Sequence, residues 1–256
     1  MRTGTVTLVG AGDTSSDRPV PSEWASAAGS DPRSRYEDAV AWGLPSPAEH
    51  RWPAAGAVVV AIALQIVLPE RLITGLGPRW LIPVLESVLL VVLMVANPRQ
   101  VNDEERLLRA LSIALIAVIS VANIVSLVEL VRALLLHTGA GGRQLVYASV
   151  PIWLTNVIVF GLWYWELDRG GLSARLSHGH RQPDFLFPQM AVPGSGPGWT
   201  PGFLDYLYTS FTNATAFSPT DTMPLTPWAK VLMMIQSMAS LLTVAVVISR
   251  AVNILQ

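Results

Sequence analysis

The side chains that could do chemistry in this chain include four polar residues set inside long apolar runs. Glu86, Asn123, Asn156 and Gln236 each interrupt a different hydrophobic stretch. A carboxylate is costly to bury there, so Glu86 indicates either a proton or cation site or a group hydrogen-bonded to a neighbouring helix. The three amides can hydrogen-bond across helices, and we expect them to hold helices together.

A second polar set precedes the last apolar run. It comprises Thr212, Asn213, Thr215, Ser218, Thr220 and Asp221. The hydroxyl and amide groups could line a wet cavity, or they could satisfy the backbone of a loop that enters the membrane. Asp221 could join a ring of carboxylates that concentrates cations in an oligomer, or it could tighten the turn before Pro224.

Enzymatic chemistry has no candidate residue set. The chain has no Cys, which excludes disulfides, thiolate nucleophiles and Cys-ligated metals, and Lys230 is its single Lys. It contains no nucleophile elbow, phosphate loop or His-Glu-x-x-His helix. His178 and His180 form a pair that no nearby ligand completes. We therefore expect no enzyme, no cofactor and no metal.

The composition is that of a membrane protein. Hydrophobic residues make up 51% of the chain and charged residues 14%, with a mean hydropathy of +0.44. Soluble domains carry about 25% charged residues. A net charge of −1 gives no electrostatic case for binding nucleic acid. These values predict a multi-pass protein of the cell membrane whose main partner is the lipid bilayer.

Five apolar stretches organise the chain after a Ser- and Pro-rich N-terminal tail (1–50), which we expect to be flexible. The stretches are Ala54–Leu68, Trp80–Ala96, Leu107–Leu136, Leu145–Trp165 and Val231–Ser249. The first is short for a membrane crossing. The fourth ends in the aromatic cluster 163–165, which is typical of a membrane interface. Near the end of the third, Glu129 and Arg132 are spaced to form an ion pair. The sequence thus predicts a three-span region (51–140) and a two-span module (141–256).

The segment 203–226 has a different pattern. Apolar residues recur at helical spacing from Phe203 to Phe217, in a run too polar to cross a membrane alone. Pro219 breaks this helix, and later prolines hold the following residues extended. A short helix and a stiff return before a full span predict a re-entrant loop. The expected fold is an all-α membrane bundle with this pore-like helix and loop before its last span.

Residues 203–253 resemble the pore helix, filter and inner helix of the two-transmembrane potassium-channel module. Asp221, Pro224 and Thr226 match the residues that follow its filter, and Lys230 matches the basic residue that opens its inner helix. The resemblance implies that Leu145–Trp165 is the outer helix and that four copies form a pore for monovalent cations. The chain also resembles uncharacterised bacterial membrane proteins of the DUF1345 type.

The filter itself departs from the channel pattern. Ser218 and Thr220 stand where the module has glycines, and Pro219 replaces the tyrosine between them. A left-handed backbone costs a residue other than glycine about 1–2 kcal/mol, so the alternating filter conformation is disfavoured. We expect a weakly selective or non-potassium channel. The alternative is a non-conducting structural or accessory membrane protein.

The basic residues suggest an orientation that conflicts with the resemblance. Alternate compartments hold ten Lys and Arg residues against five near the span ends. The positive-inside rule then places the N-terminus and the re-entrant loop in the cytoplasm. The potassium-channel module has its loop on the outside, so the sequence leaves the orientation open.

Overall fold

The computed structural model describes residues 51–69, 78–95, 103–136, 142–171, 175, 183–191, 199–215 and 221–254. The predicted flexible tail, the pair His178 and His180, and the filter residues Ser218, Pro219 and Thr220 lie outside the described residues. Their predictions therefore stay predictions.

The described part of the chain is mostly helical. Its helices are α1 (Trp52–Val67), α2 (Leu81–Val95), α3 (Asp103–Leu135), α4 (Gly142–Leu167), α5 (Pro188–Ala191), α6 (Phe203–Thr215) and α7 (Pro227–Ile254). A 3₁₀ turn (Asp168–Gly170) extends α4, and strands β1 (Phe185–Leu186) and β2 (Met223–Pro224) pair antiparallel.

Among the described residues, three segments are long and apolar enough to cross a membrane. They are Leu107–Leu135, Arg143–Gly170 and Pro227–Ser249. Helices α1 and α2 are apolar but have 16 and 15 residues, or about 24 and 22 Å at 1.5 Å per residue. The hydrocarbon core of a bilayer is about 30 Å thick. Three of the five expected spans therefore have the length of a full crossing, and the first two do not.

Helix α4 lies at the centre of the bundle. It packs against α1, α3, α6 and α7, while α2 packs against α1 and α3. Buried apolar side chains such as Ile119, Val159 and Leu162 form the main core. Large apolar side chains on the outer faces, such as Val91, Met234 and Leu241, are exposed. So much exposed apolar surface is unfavourable in water and suits a lipid environment.

Helix α6 runs antiparallel to α4 and ends near the middle of it. Its first turn is capped, because the Gly202 N–H donates to Asp205 Oδ2 at 2.8 Å. Partial burial raises the pKa of Asp205, and the hydrogen bond from Gly202 lowers it in part. Phe203 packs edge-on against Trp165 near the C-terminal end of α4. Seven residues later, the Ser210 hydroxyl donates to the Val157 carbonyl at 2.6 Å.

The residues that precede α7 lie beside the first half of α6. The hydroxyls of Thr222 and Thr209 lie 3.1 Å apart, and β2 pairs with β1 immediately afterwards. Thr226 caps α7, since its hydroxyl accepts from the Ala229 N–H, and Pro227 occupies the first helical position. The segment between α6 and α7 thus ends where α6 starts.

A glycine allows α6 to approach α4 closely. A Cβ added at Gly161 would lie 3.1 Å from the Leu207 Cα and 3.2 Å from its Cδ1. Small residues at helix contacts in membranes permit such backbone approach. Because the nearest atom belongs to the backbone, a side chain here has to push the two helices apart.

We predict that Gly161→Ala lowers the free energy of unfolding by about 1–3 kcal/mol, the usual cost of overpacking. The matched control is Gly56→Ala in α1, where an added Cβ meets nothing within 4 Å. This control should be neutral or stabilise by about 0.5–1 kcal/mol, because Ala is the better helix former. Unfolding equilibria in lipid bicelles measure both. Equal effects of the two changes would show that the close approach is unimportant.

Candidate functional site

A buried amide joins three helices at the level where α6 ends. Gln236 of α7 is fully buried, and its Nε2 donates to the Ser210 carbonyl at 2.8 Å and to the Ser210 hydroxyl at 2.6 Å. Its Oε1 accepts from Asn213 Nδ2 at 2.8 Å and from the Tyr164 hydroxyl at 2.5 Å. One side chain thus ties α7 to both α6 and α4.

Two further amides extend this network. Asn213 also donates to the Met233 carbonyl at 3.0 Å, and its Oδ1 accepts from the Ser237 hydroxyl at 3.2 Å. Asn156 of α4 donates to the Ser240 hydroxyl at 3.0 Å. The structure therefore brings together Asn156, Asn213 and Gln236 of the residues singled out in the sequence. Asn123 is buried on α3 and takes no part in the hydrogen bonds described here.

The described threonines of the predicted loop bond to their own helix. The Thr212 hydroxyl lies 3.0 Å from the carbonyls of Tyr208 and Thr209, and that of Thr215 donates to the Thr212 carbonyl at 2.9 Å. These bonds favour the interpretation that the hydroxyls satisfy the backbone. Asp221 is exposed beyond the loop.

A buried cluster of charges lies where α4 ends. Asp168 is fully buried, its Oδ2 accepts from the Tyr206 hydroxyl at 2.6 Å, and its Oδ1 accepts from the Asp184 N–H at 2.8 Å. The Nε of Arg169 lies 3.5 Å from the same carboxylate. Arg169 has a φ of +54°, which is unusual for a residue other than glycine, and Gly170 and Gly171 also have positive φ. We call Asp168, Arg169, Arg175, Asp184 and Tyr206 the α4 clamp.

Arg175 connects the end of α4 to the start of α6. Its guanidinium donates to the Trp165 carbonyl at 2.6 Å and lies 5.7 and 5.6 Å from the ring centres of Trp165 and Tyr206. Buried cation–π contacts of this kind are stabilising. Asp184 accepts from the Arg169 N–H at 2.9 Å and from the Thr226 hydroxyl at 2.7 Å. The clamp therefore fixes the start of α6 and the start of α7 against the end of α4.

Sequence reasoning missed the clamp. The residues after 166 read as a loop, although the charged pair Asp168-Arg169 followed by two glycines was a visible signal for a special turn. The aromatic cluster 163–165 makes contacts within the bundle. Tyr164 and Trp165 are buried, and the Trp163 Nε1 donates to the Ser120 hydroxyl at 2.9 Å. Tyr164 and Trp165 thus pack inside the bundle, and the interfacial position of the cluster stays a prediction.

The remaining charged candidates lie outside both networks. Glu129 and Arg132 form the expected pair at 3.2 Å, in which Arg132 is exposed and Glu129 is partly buried. Glu86 is fully buried at the contact between α1 and α2. Within the described ranges, no three His, Asp or Glu side chains gather into a metal-binding group.

Comparison with protein-family models, curated proteins and solved structures finds no match to this chain. The geometry therefore carries the functional argument. Helix α6 has 13 residues. Its C-terminal end bonds to the polar network through Asn213, and its N-terminal end bonds to the clamp through Tyr206.

Proposed function

We propose that the chain is a channel-like protein of the cell membrane that assembles as a homo-oligomer, with a tetramer as the arrangement the channel resemblance implies. Segment 203–226 is its re-entrant pore segment, and the pore passes monovalent cations without selecting potassium. The proposal rests on how deep α6 reaches into the bundle. Its C-terminal half lies beside the middle of α4, where Ser210 bonds to Val157 and Phe211 packs on Trp153. Thr222 then lies beside Thr209 of α6.

Lengths along the helices support this depth. Helix α6 has 13 residues, which span about 20 Å and are too few to cross a bilayer. Asn213, near its end, bonds to Gln236. Gln236 lies nine residues after Pro227, or about 14 Å along α7. The return to Thr222 beside Thr209 makes the segment enter and leave on one side of the bundle.

The inner end of α6 favours cations. The C-terminus of a helix carries the negative end of its dipole, and its last carbonyls lack backbone N–H partners within the helix. In α6 one of these, the Thr212 carbonyl, accepts from the Thr215 hydroxyl. Lipid cannot satisfy such groups at half depth, whereas water on the axis of an oligomer can. The exposed carboxylate of Asp221 adds negative charge at the same segment.

The alternative is a non-conducting structural or accessory membrane protein. One observation favours it: the amides of Asn213 and Gln236 and the hydroxyl of Thr212 are all bonded within a single chain. A segment held this firmly can serve packing alone. The two functions differ in whether any ion crosses the membrane.

Ion flux into vesicles containing the purified protein tests the proposal. We predict cation flux with little discrimination between Na⁺ and K⁺, and a decrease of about tenfold in Asp221→Asn at low ionic strength, because a ring of carboxylates raises the local cation concentration. Salt should reduce this difference by screening. The control is Glu129→Gln, which removes a partly exposed carboxylate far from the loop in sequence. Vesicles that pass no ion would contradict the channel and favour the structural role.

A further inference from the structure

We propose that Glu86 and Gln65 form a proton-binding site between α1 and α2, in which the Glu86 carboxyl carries a proton at neutral pH. The site lies on the first two helices, outside segment 203–226, and does not depend on ion conduction. Its ligand is the proton itself.

The geometry leaves the carboxyl with too few partners for a negative charge. Glu86 is fully buried, and its Oε1 accepts one hydrogen bond, from Gln65 Nε2 at 3.1 Å. Its Oε2 is buried and has no hydrogen-bond partner among the described residues. A carboxylate has about four lone-pair positions to satisfy, and a buried ion is costly unless paired. A neutral acid needs far less from these surroundings.

The charged groups on the packed helices do not reach the carboxyl. Glu86 is the only charged residue of α2, and α1 has none. Arg79 is exposed, donates to the Ile66 carbonyl and precedes Glu86 by seven residues. No ion pair joins it to Glu86 within the described part of the chain.

The facing part of α3 is likewise uncharged. Ser112, Leu115 and Ile116 of α3 line one cavity with Leu90, Leu93 and Met94 of α2, and Ala117, Val118, Val121 and Ala122 line another with Ile82 and Leu85. The first cavity also contains Arg51 and Glu166, on the side of Leu90 and Met94. Glu86 therefore lies opposite the apolar middle of α3. The charged residues of α3 are at its two ends, where Arg109 is paired with Glu166 of α4 and Glu129 with Arg132.

This arrangement makes the α1–α2 contact sensitive to pH. Loss of the proton places a carboxylate with a single hydrogen bond between two apolar helices. We therefore expect alkaline conditions to weaken the contact, and protonation to restore it. Gln at position 86 reproduces the shape of the neutral acid and can still accept from Gln65.

Infrared spectroscopy of the protein in vesicles tests the site. A protonated carboxyl has a C=O band separate from the amide and carboxylate bands. We expect wild type at neutral pH to show this band, and Glu86→Gln to lose the contribution of a single carboxyl group. The matched control Glu129→Gln should leave the band unchanged, since Glu129 is partly exposed and forms an ion pair with Arg132. Identical wild-type and Glu86→Gln spectra from mildly acidic to mildly alkaline pH would overturn the proposal.

Unfolding equilibria provide the second readout. Wild type should lose stability as the pH rises, because the unfolded carboxyl ionises at a lower pH than the buried one. Glu86→Gln should match wild type in acid, lack this pH dependence and therefore be at least as stable as wild type at neutral pH. If Glu86→Gln fails to fold or is less stable at neutral pH, the native carboxyl is ionised and the proposal is wrong.

Discussion

Replacing Gln236 with Leu is expected to lower the free energy of unfolding by about 2–4 kcal/mol and to abolish any ion flux. The side chain takes part in four hydrogen bonds, two to Ser210 and one each with Asn213 and Tyr164. Leu fills a similar volume but leaves these buried groups without partners. Single hydrogen bonds between membrane helices contribute about 0.6–2 kcal/mol, which sets the expected range for the four.

The measurement is the unfolding equilibrium in bicelles, with Met238→Leu as the matched control. Met238 lies on the same helix, has 64% of its surface exposed and should change stability by less than about 0.5 kcal/mol. If Gln236→Leu is as mild as this control, the polar network does not hold α6 in place.

The second large effect is expected for Asp168→Asn, which should destabilise the protein by about 3–5 kcal/mol. Asp168 is fully buried between the Tyr206 hydroxyl, the Asp184 N–H and Arg169. Asn at this position removes the negative charge that balances the buried Arg169. Its NH₂ group can also face the Tyr206 hydroxyl or the Asp184 N–H, which are both donors. Breaking a buried pair by removing one partner typically costs this amount, because the other charge is left uncompensated.

A double-mutant cycle with Tyr206→Phe separates the contributions. Tyr206→Phe removes the 2.6 Å hydrogen bond to Asp168, and Asp168→Asn weakens it by removing the charge of the acceptor. The loss in the double variant should therefore be smaller than the sum of the single losses. Glu129→Gln, at a partly exposed ion pair, should cost at most about 1 kcal/mol. Full additivity of Asp168→Asn and Tyr206→Phe would show that the clamp does not couple α4 to α6.

The sequence predicted the features that follow from local pattern. Long apolar runs located α3, α4 and α7, and the spacing of apolar residues located α6 to within two residues of its end. The pair Glu129 and Arg132 follows from helical spacing alone. Such signals depend on neighbours along the chain and can be read without knowing the fold.

Contacts between distant residues could not be predicted in the same way. Tyr206 reaches Asp168 across 38 residues, and Gln65 reaches Glu86 across 21. Nothing local distinguishes the buried Tyr164 from an aromatic residue at a membrane interface, because both positions suit an amphipathic ring. The clamp depends on how four segments converge, which is a property of the packed bundle.

The most direct test of a re-entrant segment is to determine from which side of the membrane a labelling reagent reaches the two ends of segment 203–226. The chain has no Cys, so single cysteines can be introduced by Thr200→Cys, Leu225→Cys, Arg143→Cys and Phe211→Cys and probed in sealed vesicles with a membrane-impermeant maleimide. We expect the cysteines at 200 and 225 to react from the same side, the cysteine at 143 from the opposite side, and the cysteine at 211 from neither. Reaction at 200 and 225 from opposite sides, or ready reaction at 211, would contradict a re-entrant segment.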